Sequence, residues 1–124
     1  MMLDGRRKVA ETTITTLRDM CCSPVLAEPL PAPAAHELAA ALKVLADPAR
    51  LRLLSLIRAS EGGRAVTREL VNALHISQPT VSHHLGVLHD AGFVGRERVG
   101  RETWYSIVPD SLQTIRQLLD PYPG

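Results

Sequence analysis

Aromatic side chains are nearly missing from this chain: they make up 3% of its 124 residues, with one Trp, one Phe and two Tyr. Leucine, alanine and valine must therefore build the interior. Cysteine is also sparse, with only Cys21 and Cys22, and the two are neighbours. A bridge between adjacent residues closes a small strained ring far from relaxed disulfide geometry, so the pair reads as thiols. No CxxC redox motif occurs and no base stands beside either cysteine, which argues against a thiol enzyme. Nor is there any run of about 18 consecutive apolar residues, or an N-terminal stretch suited to a signal peptide. A cytoplasmic protein with no membrane partner is expected. Charge of one sign is lacking too: 14 Lys and Arg against 13 Asp and Glu leave a net +1. That is a weak balance for a nucleic-acid binder, so any such contact must come from where the arginines sit. There are no internal repeats and no low-complexity tracts. The length suits one domain with a small core that oligomerisation would help.

What is present centres on TRELVNALHISQPTVSHHLGVLHDAG, from Thr67 to Gly92. It reads as a short helix (Arg68 to Leu74), a turn through His75 and Ile76, and a second helix. Ser77 is suited to cap that second helix, because its hydroxyl can accept from an unpaired first-turn amide. Pro79 falls in the first turn, where a missing N–H costs nothing. Gly92 closes the helix where a left-handed residue is usual. Val81, Leu85 and Leu88 form a narrow apolar stripe at i, i+4 and i+7. The opposite, outward side of the N-terminal half then carries Gln78, Pro79, Thr80, Ser82 and His83, most of them short polar groups able to reach base edges. This is the helix-turn-helix plan.

FVGRERVGRETWYSIV follows at once, two β-like runs over Phe93–Val99 and Glu102–Val108 hinged at Gly100. Helix-turn-helix followed by a basic hairpin is the order of a winged helix, mainly α with a two-stranded wing. Arg96, Arg98 and Arg101 sit on or beside the wing tip, where they could meet phosphates. The bland alternative is a solvated hairpin whose arginines pair with Glu97 and Glu102.

The remaining segments frame this core. Arg6, Arg7 and Lys8 make a small basic cluster, and Thr12 to Met20 could form a short helix. Prolines at positions 24, 29, 31 and 33 predict an extended arm up to residue 33. Residues 34–120 then form the DNA-binding and dimerisation domain. Ala34 to Ala46 is strongly helical, with Leu38, Leu42 and Leu45 on one stripe. Asp47-Pro48 stops that helix and starts the next. Arg50 to Ala59, with Leu51, Leu53, Leu54, Leu56 and Ile57, is apolar enough to predict full burial. Asp110 is expected to cap a last helix bearing Leu112, Ile115, Leu118 and Leu119. The first and last leucine stripes are expected to pair across a two-fold axis, with Leu38, Leu42, Leu112, Ile115 and Leu119 at a homodimer interface.

ALKVLADPARLRLLSLI, then SQPTVSHHLGVLHDAGFV, then GRETWYSIVP closely resembles the arsenical-resistance-repressor (ArsR/SmtB-type) family of metal-sensing winged-helix regulators. The likeness covers Glu37 to Leu119. It implies a homodimeric repressor of a resistance operon, bound to double-stranded operator DNA with an inverted repeat and released by a metal or metalloid. It also implies that Ser77, Gln78, Thr80, Ser82 and His83 lie on the recognition helix. The inducer site is where the chain departs from the family. Many relatives carry a CVC motif where this chain has Val66 and Arg68; others carry a cysteine where it has Arg64. Zinc-type relatives place Asp and His on the last helix, where this chain offers Asp110 and no histidine. What remains is Cys21-Cys22, a pair similar to that of trivalent-arsenic sensors in the same family.

Soft ions suit thiolates. Trivalent arsenic or antimony favours three, so the vicinal pair would chelate it with one position left for a small thiol or a partner protomer's cysteine. Cadmium, lead, or a reactive sulfur or oxygen species acting on the same thiols is the alternative inducer. His83 and His84 are a tempting ligand pair, but adjacent helical residues point about 100° apart and do not converge. His83 is read as facing the groove and His84 as a flank residue.

Overall fold

The computed structural model describes residues 29–122. Cys21, Cys22, the expected helix over Thr12 to Met20 and most of the expected arm lie outside them. Among the described residues five α-helices and three short strands run in the order α1 (Ala32–Leu45), α2 (Pro48–Ala59), β1 (Arg64–Val66), α3 (Thr67–Leu74), α4 (Gln78–Asp90), β2 (Val94–Val99), β3 (Glu102–Ile107) and α5 (Pro109–Leu118), with a 3-10 turn at Glu61–Gly63 between α2 and β1. The winged helix-turn-helix expected from the sequence is there, with α3 and α4 as its two helices. Its sheet is larger by one strand. β1 joins the free edge of β3, pairing Arg64 with Ser106, Ala65 with Tyr105 and Val66 with Trp104, to give the antiparallel order β1-β3-β2. A strand of three residues is too short to show the period-2 alternation that marks one in a sequence, and its partner lies far along the chain.

Local chemistry sets most of the helix ends. The Asp47 carboxylate accepts from the amides of Ala49 and Arg50 at 2.9 and 3.1 Å, and Pro48 fills the first helical position of α2. The Arg50 amide bond, aided by the guanidinium charge, holds the Asp47 carboxyl below its ordinary value. The cap therefore stabilises fully above the ordinary carboxylate range and is lost as pH falls through the depressed value. α1 starts at Ala32, two residues inside the expected arm, because Pro33 sits in its first turn, where it removes no helical hydrogen bond. The expected cap at Asp110 is not one. Val108 precedes the helix without a side-chain cap, Pro109 opens it, and Asp110 lies inside the first turn as an acidic residue near the positive end of the helix.

The core sits where α2, α3, α4 and the root of the wing meet. Leu53, Ile57, Leu70, Val81, Leu85, Leu88 and Phe93 are all fully buried there. α2 is not buried all round as its composition predicts: Leu51 is 52% exposed, because only one face of the helix, carrying Leu53, Leu54 and Ile57 with Leu56 at its edge, meets the rest of the fold. Arg50 ties three helices together. Its Nε donates to the Val44 carbonyl at the end of α1 at 2.6 Å, and Nη1 lies 3.1 Å from His84 Nδ1 on α4. α5 is fastened to the turn after α4 by a hydrogen bond from Ser111 Oγ to the Gly92 carbonyl. The neighbouring Val108 amide donates to the Phe93 carbonyl at 3.0 Å.

Phe93, the chain's only phenylalanine, plugs the junction of α4, the wing and α5 with no exposed surface. Phe93→Ala is expected to cost about 3–5 kcal/mol of stability by lost transfer and cavity formation. Denaturant unfolding checks this; a loss below about 1 kcal/mol would mean the junction collapses around the gap or is not a core site at all.

Candidate nucleic-acid interface

α3 ends at His75, whose left-handed backbone (φ 58) makes the tight turn into α4. Ser77 then caps α4. Its hydroxyl accepts from the Thr80 amide at 3.3 Å and lies 2.8 Å from the Thr80 hydroxyl. Val81, Leu85 and Leu88 are fully buried, which rotates α4 so that Ser77, Gln78, Pro79, Thr80, Ser82 and His83 are exposed together at its N-terminal half. Gly92, at φ 88, follows the helix and turns the chain into the wing.

The wing folds back towards that face. Gly100 (φ 62) makes the hairpin turn, and Arg98 Nε donates to its carbonyl at 3.1 Å. Register places Arg96 opposite Tyr105 and Arg98 opposite Thr103, so these four share one face of the sheet. Between this face and α4 lies an open cleft of about 320 Å³, lined by Gln78 and Ser82 from the helix and by Arg98, Arg101, Thr103 and Tyr105 from the wing. Of the residues singled out from the sequence, the fold thus brings Gln78, Ser82, Arg98 and Arg101 to one cleft. Arg96 shares an adjoining hollow with Arg98, Thr103 and Tyr105. Ser77, Thr80 and His83 are exposed on α4 outside the cleft lining, with the first two hydroxyls engaged in the cap.

The carboxylates of the wing do not pair with its arginines. Glu97 faces Arg64 of β1 at 3.8 Å, and that guanidinium also stacks over Trp104 at 4.3 Å from the ring centre. Glu102 bonds Arg68 of α3 at 2.6 Å. Among the described residues no carboxylate pairs with Arg96, Arg98 or Arg101, so the positive charge of the wing tip is left for a partner. Arg68, Thr67 and Glu102 also line the cleft. No sequence signal marks them, because the contact joins segments that only β1–β3 pairing brings together. No three His, Cys, Asp or Glu side chains among the described residues come together as a metal site.

A cationic, polar cleft between a helix N-terminus and a basic hairpin offers phosphate contacts from the wing and donor–acceptor groups from the helix. Comparison with known proteins points to a family of bacterial regulators. Residues 47–95 match the family pattern described as "Bacterial regulatory protein, arsR family". The chain is 37% identical over 84 residues to the arsenical resistance operon repressor of Staphylococcus xylosus, covering 68% of this chain and 78% of that protein. It is 43% identical over 89 residues to the HTH-type transcriptional repressor SmtB of Mycobacterium tuberculosis, covering 68% of this chain and 64% of that protein. The crystal structure of the antimony-specific transcriptional repressor AntR superposes with a TM-score of 0.60 at 29% identity, covering 72% of this chain and 79% of that one.

Gln78→Ala should cost about 1–3 kcal/mol on a preferred DNA sequence and relax the preference at one position. Arg98→Ala should instead weaken binding to every sequence and lower the slope of log affinity against log salt by about 0.9. Competition binding at two salt concentrations separates the two. Equal loss on specific and random DNA for Gln78→Ala would show that this side chain reads no base.

Proposed function

The chain belongs to the arsR family of bacterial regulatory proteins, and from that membership we propose a homodimeric repressor that leaves its operator when trivalent arsenic or antimony binds Cys21 and Cys22. As a member it is a transcriptional regulator and not an enzyme. The observation that supports DNA binding best is the cleft itself, where Gln78 and Ser82 lie beside Arg98 and Arg101. A two-fold dimer would offer two such clefts, suited to an imperfect inverted repeat with half-sites about one helical turn apart or more. Among the described residues no helix is long and apolar enough to cross a membrane. The cytoplasm, where thiols stay reduced, is the proposed place of action.

The proposed interface changes in detail once burial is known. Leu38 and Ile115 are 6% and 7% exposed within a single protomer, so they already serve its own core. Leu42 and Leu112 are half-buried and Leu119 is 45% exposed, which leaves these three to meet a partner. Leu119→Asp tests this without cutting into the core. Sedimentation should show monomer, with weaker operator binding; a variant that stays dimeric would place the interface elsewhere.

The inducer reading is supported by chemistry. Cys21 and Cys22 are the only thiols in the chain. Adjacent thiolates chelate soft, thiophilic ions. A relative is named for arsenical resistance and a structural neighbour for antimony. Ligation just ahead of α1, a proposed dimer helix, would bias how the two protomers sit. Two recognition helices must match successive major grooves, so a small change of orientation weakens binding. A coupling of about 1–3 kcal/mol would lower DNA affinity about 5- to 150-fold, and DNA would weaken ion binding by the same factor.

Titration with arsenite, cadmium and peroxide while following operator release tests this inducer. Arsenite should release the wild-type protein, and Cys21→Ser or Cys22→Ser should bind DNA normally yet ignore arsenite. Release by cadmium or peroxide alone would assign the same thiols to another signal. Release of a double Cys→Ser protein by arsenite would falsify the assignment.

A further inference from the structure

The cleft beside α4 holds a fourth charged group that neither the wing nor the recognition helix supplies. Arg68 is the second residue of α3, its side chain is 69% exposed, and it lines the cleft with Gln78, Ser82, Arg98 and Arg101. We propose that Arg68 is a further phosphate-contacting residue of the DNA interface, with Glu102 as the carboxylate that a phosphate shares or displaces there. The inference rests on the cleft being the DNA surface.

Three observations carry it. The first is aim: the 2.6 Å contact from Arg68 Nη1 to Glu102 Oε2 ties a long side chain to the start of β3, so its guanidinium stays at the cleft wall. The second is capacity. A guanidinium has five N–H donors in a planar fork, and Glu102 is the one described acceptor it engages, so donors remain for a phosphate oxygen. The third is weakness of the hold. Both groups reach solvent, at 69% and 40% side-chain exposure, and ion pairs of that kind are screened and cheaply rearranged. A phosphate can therefore share or displace the carboxylate without a large cost. Arg64 makes a useful contrast. Its guanidinium stacks on Trp104 beside Glu97, and it takes no part in the cleft lining.

Glu102 also sets a limit. Its carboxylate offsets one of the three arginine charges that line the cleft, and a polyanion entering there meets it. Removing that charge should tighten binding to any DNA; removing Arg68 should loosen it.

The test is a double-substitution cycle in the full-length chain, using operator and random duplexes from 50 to 200 mM salt. Glu102→Gln should bind both duplexes severalfold more tightly than wild type. Arg68→Ala should weaken both, in the wild-type and the Glu102→Gln backgrounds alike, and lower the salt slope by about 0.9, a loss across that salt range about 3.5-fold smaller. If Arg68 merely neutralises Glu102, Arg68→Ala will have no effect once Glu102 is Gln, and the proposal is overturned. A slope unchanged by Arg68→Ala in both backgrounds overturns it as well. Thermal unfolding of each variant, expected to match wild type because both side chains are exposed, separates loss of contact from loss of fold. Wild-type protein that binds neither duplex would instead refute the reading of the cleft on which the inference rests.

Discussion

Val81, Leu85 and Leu88 are sealed inside the protomer, and their burial sets the rotation of α4 about its own axis. Side chains on a helix are spaced by about 100°, so holding one stripe inward points Gln78 and Ser82 outward with no further device. Burying three such residues stabilises by several kcal/mol, at roughly 1.5–3 kcal/mol each. That is more than enough to fix an orientation against the pull of exposed polar groups. The helix is also held laterally, through Arg50 between the Val44 carbonyl and His84. A reading head must keep its geometry when DNA approaches, and here the core provides that rigidity.

The same economy explains how a chain of net charge +1 presents a basic surface. Its carboxylates are not spread evenly among its arginines. Glu97 is taken up by Arg64 and Glu102 by Arg68, both contributed by the segment that begins at β1. Had those glutamates paired within the hairpin, the wing tip would be close to neutral. The third strand therefore does more than enlarge the sheet. By carrying Arg64 into place and leading straight into Arg68, it gives partners to the two glutamates that strand alternation turns away from Arg96 and Arg98.

Under the proposed inducer reading, the signal must reach the reading head from outside it. The vicinal cysteines precede α1 by about ten residues, and α1 touches α4 through its C-terminal end, where Arg50 joins Val44 to His84. A change in how α1 meets the proposed partner protomer would therefore have a physical route to α4, through packed side chains and two hydrogen bonds. The division of the leucine stripes fits a partner contact that can shift without unfolding the protomer. Leu38 and Ile115 hold each protomer together, while Leu119 stands outside.

Much of this was legible in the linear sequence, because the determinants are local. Ser77, Pro79 and Gly92 mark the ends of α4, Asp47-Pro48 marks the start of α2, and the hinge at Gly100 marks the wing; each acts on backbone atoms a few residues away. The stripe of Val81, Leu85 and Leu88 follows from helical period alone. The chemistry of two adjacent thiols is likewise a property of the sequence. What only tertiary structure decided are the relations between distant segments. β1 exists because Arg64–Val66 finds the edge of β3, and three residues carry no period of their own. Leu51 faces solvent although its composition suggested burial, because direction depends on what packs against α2. Arg68 enters the cleft for the same reason, since charges choose partners by distance in space, which no local pattern encodes; the wing glutamates turn away from Arg96 and Arg98 by strand alternation alone.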